Sequence, residues 1–229
     1  MTDLNPAERK LRLMMSELRE ASEFEVYDAL PGVVDPAYED IDAAFAALTA
    51  STGIALDSAL KDCFVRFDQC SAGWSMEDSE NGLSGEFCIV HLPAVVATEA
   101  PPTATELMTQ DERQRYAEFR VLDDHPVSGT GAFAALRLNP ETPVPEIWYH
   151  DFHYNLGGFR MALDHCRYLD ALTLTKGTFG WQFLFCDVSF ADDDFVALGD
   201  ELGEMLDVFP RLFPDHDYTD LQARLRERT

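Results

Sequence analysis

Residues 85–92, Gly85-Glu86-Phe87-Cys88-Ile89-Val90-His91-Leu92, decide the fold class. Phe87, Ile89 and His91 alternate with Cys88, Val90 and Leu92, so both faces are partly apolar and the stretch reads as a strand closed by Pro93. This period of two sets in at Trp74; upstream the period is helical. Asn5-Pro6-Ala7-Glu8 has a cap, a first-turn proline and a glutamate three beyond the cap, and Leu11, Met14, Met15 and Leu18 follow as one stripe. After a loop at Leu30-Pro31-Gly32, Asp35-Pro36 opens a second helix through Tyr38, Ile41, Phe45 and Leu48, ending at Gly53. A third is expected through Leu56, Leu60, Cys63, Phe64 and Phe67.

Downstream, a loop at Pro101-Pro102-Thr103 precedes a charged helix from Glu106 to Leu122. Strands are expected at 133–138 and 146–151, joined by a turn carrying Asn139-Pro140 and Pro143 to Pro145. Gly157-Gly158 reads as a break before a strand over 159–163. A helix follows over 164–174, then a strand over 181–186 with Trp181, Phe183 and Phe185 on one face. Asp192-Asp193-Asp194 then caps a helix through Phe195, Leu198, Leu202, Met205 and Phe209, ended by Pro210. Helices first, strands clustered, helices inserted and last is an α+β order: a mostly antiparallel central sheet flanked by an N-terminal helix pair and C-terminal helices. Residues 1–30 read as an N-terminal helix and linker, 31–210 as the α+β domain, and 211–229 as a helical tail.

The chain has 229 residues, 42 acids and 17 bases, a net charge of −25. Residues 23–208 hold 34 acids and nine bases, the whole imbalance; the two ends hold eight of each. Such a field repels phosphate backbones and attracts basic partners, which argues against nucleic-acid binding. The N-terminus has no basic and apolar leader pattern, and no apolar run reaches membrane-span length. Five cysteines without a CxxC pair fit buried thiols in a reducing compartment, so the expected location is the cytoplasm.

The run from Ile41 to Trp74 resembles the N-terminal helix pair of the SMI1/KNR4, or SUKH, superfamily. Gly53-Ile54-Ala55-Leu56-Asp57 stands at its Gly-x-x-Leu-Pro turn, with Asp57 replacing the proline, and Ala72-Gly73 at its Asn-Gly or Gly-Gly. Glu146 to Tyr149, Tyr168 to Leu172, Thr175-Lys176-Gly177 and Gly180-Trp181-Gln182 resemble the core strands and covering helix of actinobacterial members, so the resemblance spans about residues 36–190. It implies a non-enzymatic protein-binding fold without cofactor, and many bacterial members are similar to immunity proteins that neutralise toxins, often nucleases. A basic nuclease surface would suit an acidic binder.

Candidate partner contacts are the acidic loops Glu77, Asp78, Glu80 and Asp123, Asp124, with Trp148, Tyr149 and Trp181 as aromatic anchors. The competing reading is an enzyme, a metal-assisted hydrolase built on His150, His153 and His165 with Asp151 or Asp164. Residues 150 and 153 of a strand point to opposite faces, however, which favours locally hydrogen-bonded histidines. Thiol catalysis by Cys166 with His150 or His153, or by Cys88 with His91, lacks a nucleophile motif. A regulatory scaffold on the same fold is a third reading. The terminal helices, Asn5 to Ala21 and Asp220 to Arg228, have balanced charge suited to packing or self-contact.

Overall fold

The computed structural model describes residues 3–101, 108–139, 142 and 144–229. Helix α1, Pro6–Glu20, starts as its sequence demands: Asn5 Oδ1 accepts the Glu8 N–H at 3.0 Å, and Glu8 Oε2 accepts the Asn5 N–H at 2.9 Å. Its stripe of Leu11, Met14, Met15 and Leu18 is buried. The expected loop after α1 contains a strand instead, β1, Phe24–Leu30. Helix α2, Ile41–Thr52, is capped by Asp40, while Asp35 caps only the 3-10 turn Pro36–Tyr38; Gly53 ends α2 at φ 72°.

The third expected helix is not formed. Residues Ser58–Cys63 make a 3-10 helix, and the chain then runs extended. Long-range hydrogen bonds hold it so: Asn5 Nδ2 donates to the Phe64 carbonyl, the Arg66 N–H donates to Glu8 Oε1, and Asp35 and Asp68 bond across to Arg66 and Val33. A lone bridge pairs Val34 with Phe67.

Two antiparallel sheets follow. The first has the order β1-β2-β3, with β2 at Cys70–Met76 and β3 at Ser84–Ile89. The strand expected to run to Leu92 stops short because His91 Nδ1 caps helix α3, Leu92–Ala97, with Pro93 in its first turn. The second sheet has the order β4-β5-β6-β7, at Phe119–Asp124, Phe133–Arg137, Glu146–Asp151 and Asn155–Arg160. The charged helix is correspondingly shorter than expected. Helix α4, Gln110–Ala117, has its own capping box between Thr109 and Glu112, and residues 119–124 pair with β5 instead. Glu106 and the loop residues Pro102, Thr103, Pro140 and Pro143 lie outside the described residues.

Gly157-Gly158 does not interrupt the chain. Both lie inside β7, where Gly158 at φ 71° accommodates a register shift against β6. Helix α5, His165–Thr175, is capped by Asp164. The expected strand over 181–186 is a 3-10 helix, Trp181–Phe185, buried along its whole length. Helix α6, Val196–Leu212, begins without a side-chain cap, so Asp192 to Asp194 do not serve as one; the Asp192 carbonyl receives the Phe195 and Val196 N–H groups. Pro210 does not end α6. It lacks the N–H that would reach the Leu206 carbonyl, and Gln222 Nε2 of helix α7, Thr219–Arg228, donates there at 3.2 Å.

One apolar core runs through α1, both sheets, α5, α6 and α7; α4 covers a smaller cluster of Met108, Tyr116, Phe119 and Ala135 on the second sheet. Lys176, left-handed at φ 52° beyond α5, ties several elements together. Its buried Nζ donates to Glu17 Oε2 at 2.7 Å, and its carbonyl accepts Trp74 Nε1 at 2.7 Å. Burial lowers the Lys176 pKa, against the opposing pull of Glu17. No helix of the described residues is long and apolar enough to cross a membrane.

Cys63 and Cys166 form a disulfide with Cα atoms 5.3 Å apart, against the expectation of free thiols throughout. The spacing of 103 residues conceals the pair in sequence; the packing of the 58–63 turn on α5 brings the two together.

Candidate partner-binding groove

The β2–β3 turn is fastened to α6. Glu204 Oε1 accepts the Glu80 N–H at 2.7 Å and Oε2 the Asn81 N–H at 2.8 Å, and Ser79 Oγ accepts the Leu83 N–H. Burial raises the Glu204 pKa, but these donors outweigh it and hold the carboxyl below its ordinary value. Glu201, half-buried and beside Glu204, is raised by burial and by its neighbour's charge.

Between this turn, the start of β1 and the end of α6 lies a groove of about 630 Å³. Phe24, Met76, Val208 and Leu212 supply its apolar lining, and Glu23, Glu25, Glu77 and Asp78 its acidic rim, with Arg211 as the one basic residue. A second hollow of about 560 Å³ continues along α6 past Asp78, Glu80, Asp200, Glu204 and Asp207. The two share Asp78, Val208 and Arg211, so they adjoin along α6, and together they are called the α6 channel. Glu77, Asp78 and Glu80 are exposed along it. The sequence singled out these three; it missed Glu23, Glu25, Asp200 and Asp207, which reach the same surface from β1 and α6.

The other candidate acids are placed differently. Asp123 is buried where β3 and β4 run side by side, accepting the Cys88 N–H and the Tyr168 hydroxyl, each at 2.8 Å. Burial pushes its pKa up to about 7 despite those donors. Asp124 is half-buried and also raised, by burial and then by Glu86. Neither is a free acidic loop. The Glu86 carboxylate is itself buried, accepting the N–H groups of Val127 and Ser128.

Tyr149 and Trp181 are core residues and cannot anchor a partner. Trp148 is half-buried beneath the Arg115 guanidinium, 4.6 Å from its ring, and donates to Glu146 Oε2. The exposed aromatics stand instead at the β6–β7 turn: Phe152 is 49% exposed, and Tyr154 is 37% exposed and stacked on Phe195 at 4.7 Å.

The histidines are dispersed. His150 sits buried between the rings of Tyr116 and Phe133, His153 is in the turn against Asp151 at 2.9 Å, and His165 is buried at the start of α5. Burial lowers the pKa of His150, and that of His165 to about 4. Among the described residues no group of three or more His, Cys, Asp or Glu is placed to hold a metal ion. The disulfide removes Cys166 as a nucleophile, and burial raises the Cys88 thiol to about 12. No family model, curated protein or solved structure matches this chain.

Proposed function

We propose that the chain is a non-enzymatic binding module for a basic protein, and that its role is immunity: it occupies the working surface of a cationic toxin domain, such as a nuclease, in the cytoplasm. The observation that carries this reading is the channel along α6, with apolar lining and an acidic rim, in a chain of net charge −25. Acidic residues steer a cationic partner and raise the association rate; burial of apolar side chains such as Phe24 and Leu212 slows dissociation.

The test is recovery of bound proteins from the source cytoplasm, followed by calorimetry and stopped-flow kinetics with the purified partner. The expected partner is basic, binds at nanomolar strength and loses its activity in the complex. Raising salt from about 0.05 to 0.5 M slows association by about tenfold or more, and the triple variant E77K/D78K/E80K weakens binding by a similar factor. A partner that binds this variant and the parent equally well, at either salt concentration, overturns the reading.

A further inference from the structure

The disulfide fastens a segment that little else holds. Among the described residues, the backbone–backbone hydrogen bonds of residues 36–62 close within the segment or onto its immediate flanks, where the Tyr38 N–H donates to Asp35 and the Phe64 N–H to Lys61. Its other attachment is side-chain packing, through the buried Ala44, Phe45, Leu48 and Leu60 and the partly buried Tyr38, Ile41, Ile54 and Leu56, with Phe45 against Phe64 at 5.6 Å and Tyr38 against His91 at 4.3 Å between ring centres. The Lys61–Asp42 ion pair is internal to it. A segment held by side-chain packing and one covalent bond opens locally when that bond is lost.

The bond is also reachable. Cys63 and Cys166 line a cleft of about 210 Å³ together with Lys10, Asp62 and Asp170; Cys63 is buried and Cys166 half-buried. Cys166 stands in the first turn of α5, where the helix dipole assists its release as a thiolate in the second exchange step. The remaining thiols are poor competitors: Cys70 and Cys186 are buried and Cys88 half-buried, all with pKa values pushed up by burial. Exchange is therefore confined to one pair.

We propose that Cys63–Cys166 is a thiol–disulfide exchange site, opened by a dithiol, whose state decides whether residues 36–62 stay fastened to the body of the protein. A dithiol thiolate attacks the accessible Cys166 sulfur and expels the Cys63 thiolate, which takes up a proton. The second thiolate of the reductant then attacks its own sulfur in the mixed disulfide and displaces Cys166 as a thiolate, which also takes up a proton. Two electrons and two protons pass to the protein, and the reductant leaves as its own disulfide. A reducing compartment makes the bond conditional.

The test uses the full chain in its oxidised form at neutral pH without denaturant. It is treated with about 1 mM dithiothreitol or with a reduced protein dithiol oxidoreductase of the CxxC class. Alkylation and peptide mass analysis follow the thiols, and amide exchange follows the backbone. The expected result is two new thiols, at Cys63 and Cys166, with exchange over residues 41–62 accelerated about tenfold or more and β5 and β6 unchanged. Faster opening by the small dithiol assigns the site to low-molecular-weight thiols; faster opening by the protein assigns it to a protein reductant. The C63A/C166A variant should show the open exchange pattern and no response to dithiol; if it does not fold, the parent time course still decides. Opening only in denaturant, opening without faster exchange over 41–62, or free thiols at both positions in air-oxidised protein would each overturn the proposal.

Discussion

Tyr168 donates its hydroxyl to Asp123 Oδ2 at 2.8 Å, and through this bond α5 reaches the line where the two sheets meet. The other oxygen of Asp123 accepts the Cys88 N–H of β3, so a side chain stands where a strand ladder would otherwise continue. The carboxyl is fully enclosed, with Asp124 and Glu86 adding like charge nearby.

The contribution of this junction to stability should therefore fall as pH rises from about 4 to 7. The Asp123 pKa is raised from an ordinary 3.8 to about 7 in the fold, so its contribution is complete below about 4 and is lost as pH climbs through 7. Thermal unfolding between pH 4 and 8 should show this loss, on the order of a few kcal/mol. The D123N variant should lack that slope; an unchanged slope would refute the assignment.

His165 has the opposite sign. Burial depresses its pKa from 6.5 to about 4, so the neutral ring contributes stability above 6.5 that disappears as pH falls toward 4. Asp164 offsets part of the depression. This window overlaps that of Asp123 with the opposite sign, so H165Q should steepen the net fall in stability as pH rises from about 4 to 7. Parallel curves for parent and variant across this range would exclude the histidine as an opposing contributor.

Glu8 joins helix start to sheet entry. Its carboxylate receives Nε and Nη2 of Arg66, both at 2.7 Å, as well as the Asn5 and Arg66 N–H groups. Burial raises the Glu8 pKa, and these donors bring it below the ordinary value. E8A leaves a buried guanidinium without its partner and should cost about 3–5 kcal/mol, measured by urea unfolding. E8Q keeps the shape and part of the bonding and should lose less.

At Gly85 the backbones of β3 and the 177–178 turn come together. A Cβ there would stand 2.5 Å from the Gly177 carbonyl oxygen and 2.7 Å from the Trp74 ring, and Gly85 bridges Thr178. G85A should destabilise by about 1–3 kcal/mol and increase amide exchange at Glu86, which donates to that carbonyl. A neutral G85A would mean that the turn moves aside freely.

Local chemistry was legible wherever a segment meets water on one side. The capping box and stripe of α1, the helical reading of α5, strand β6 over Glu146–Asp151, and α7 follow from patterns within a few residues, because an amphipathic element records in its own sequence which face is wet. The acids at 77, 78 and 80 were legible as exposed for the same reason. Segments enclosed on every side keep no such record. Trp181–Phe185 is buried at every position, so its pattern does not distinguish a 3-10 helix from a strand; residues 64–68 are extended because Asn5 and Glu8 bond to them from the start of α1. Asp123 and Asp124 look like a solvated turn until α5 and β3 close over them. The Cys63–Cys166 bond and the channel beside α6 likewise join residues more than a hundred positions apart. Composition and local periodicity determined the α+β class, the acidic surface and several helix starts. Packing of distant segments decided which acids are buried, which aromatics are exposed and which thiols meet, since burial is a property of the assembled core and not of any short stretch of chain.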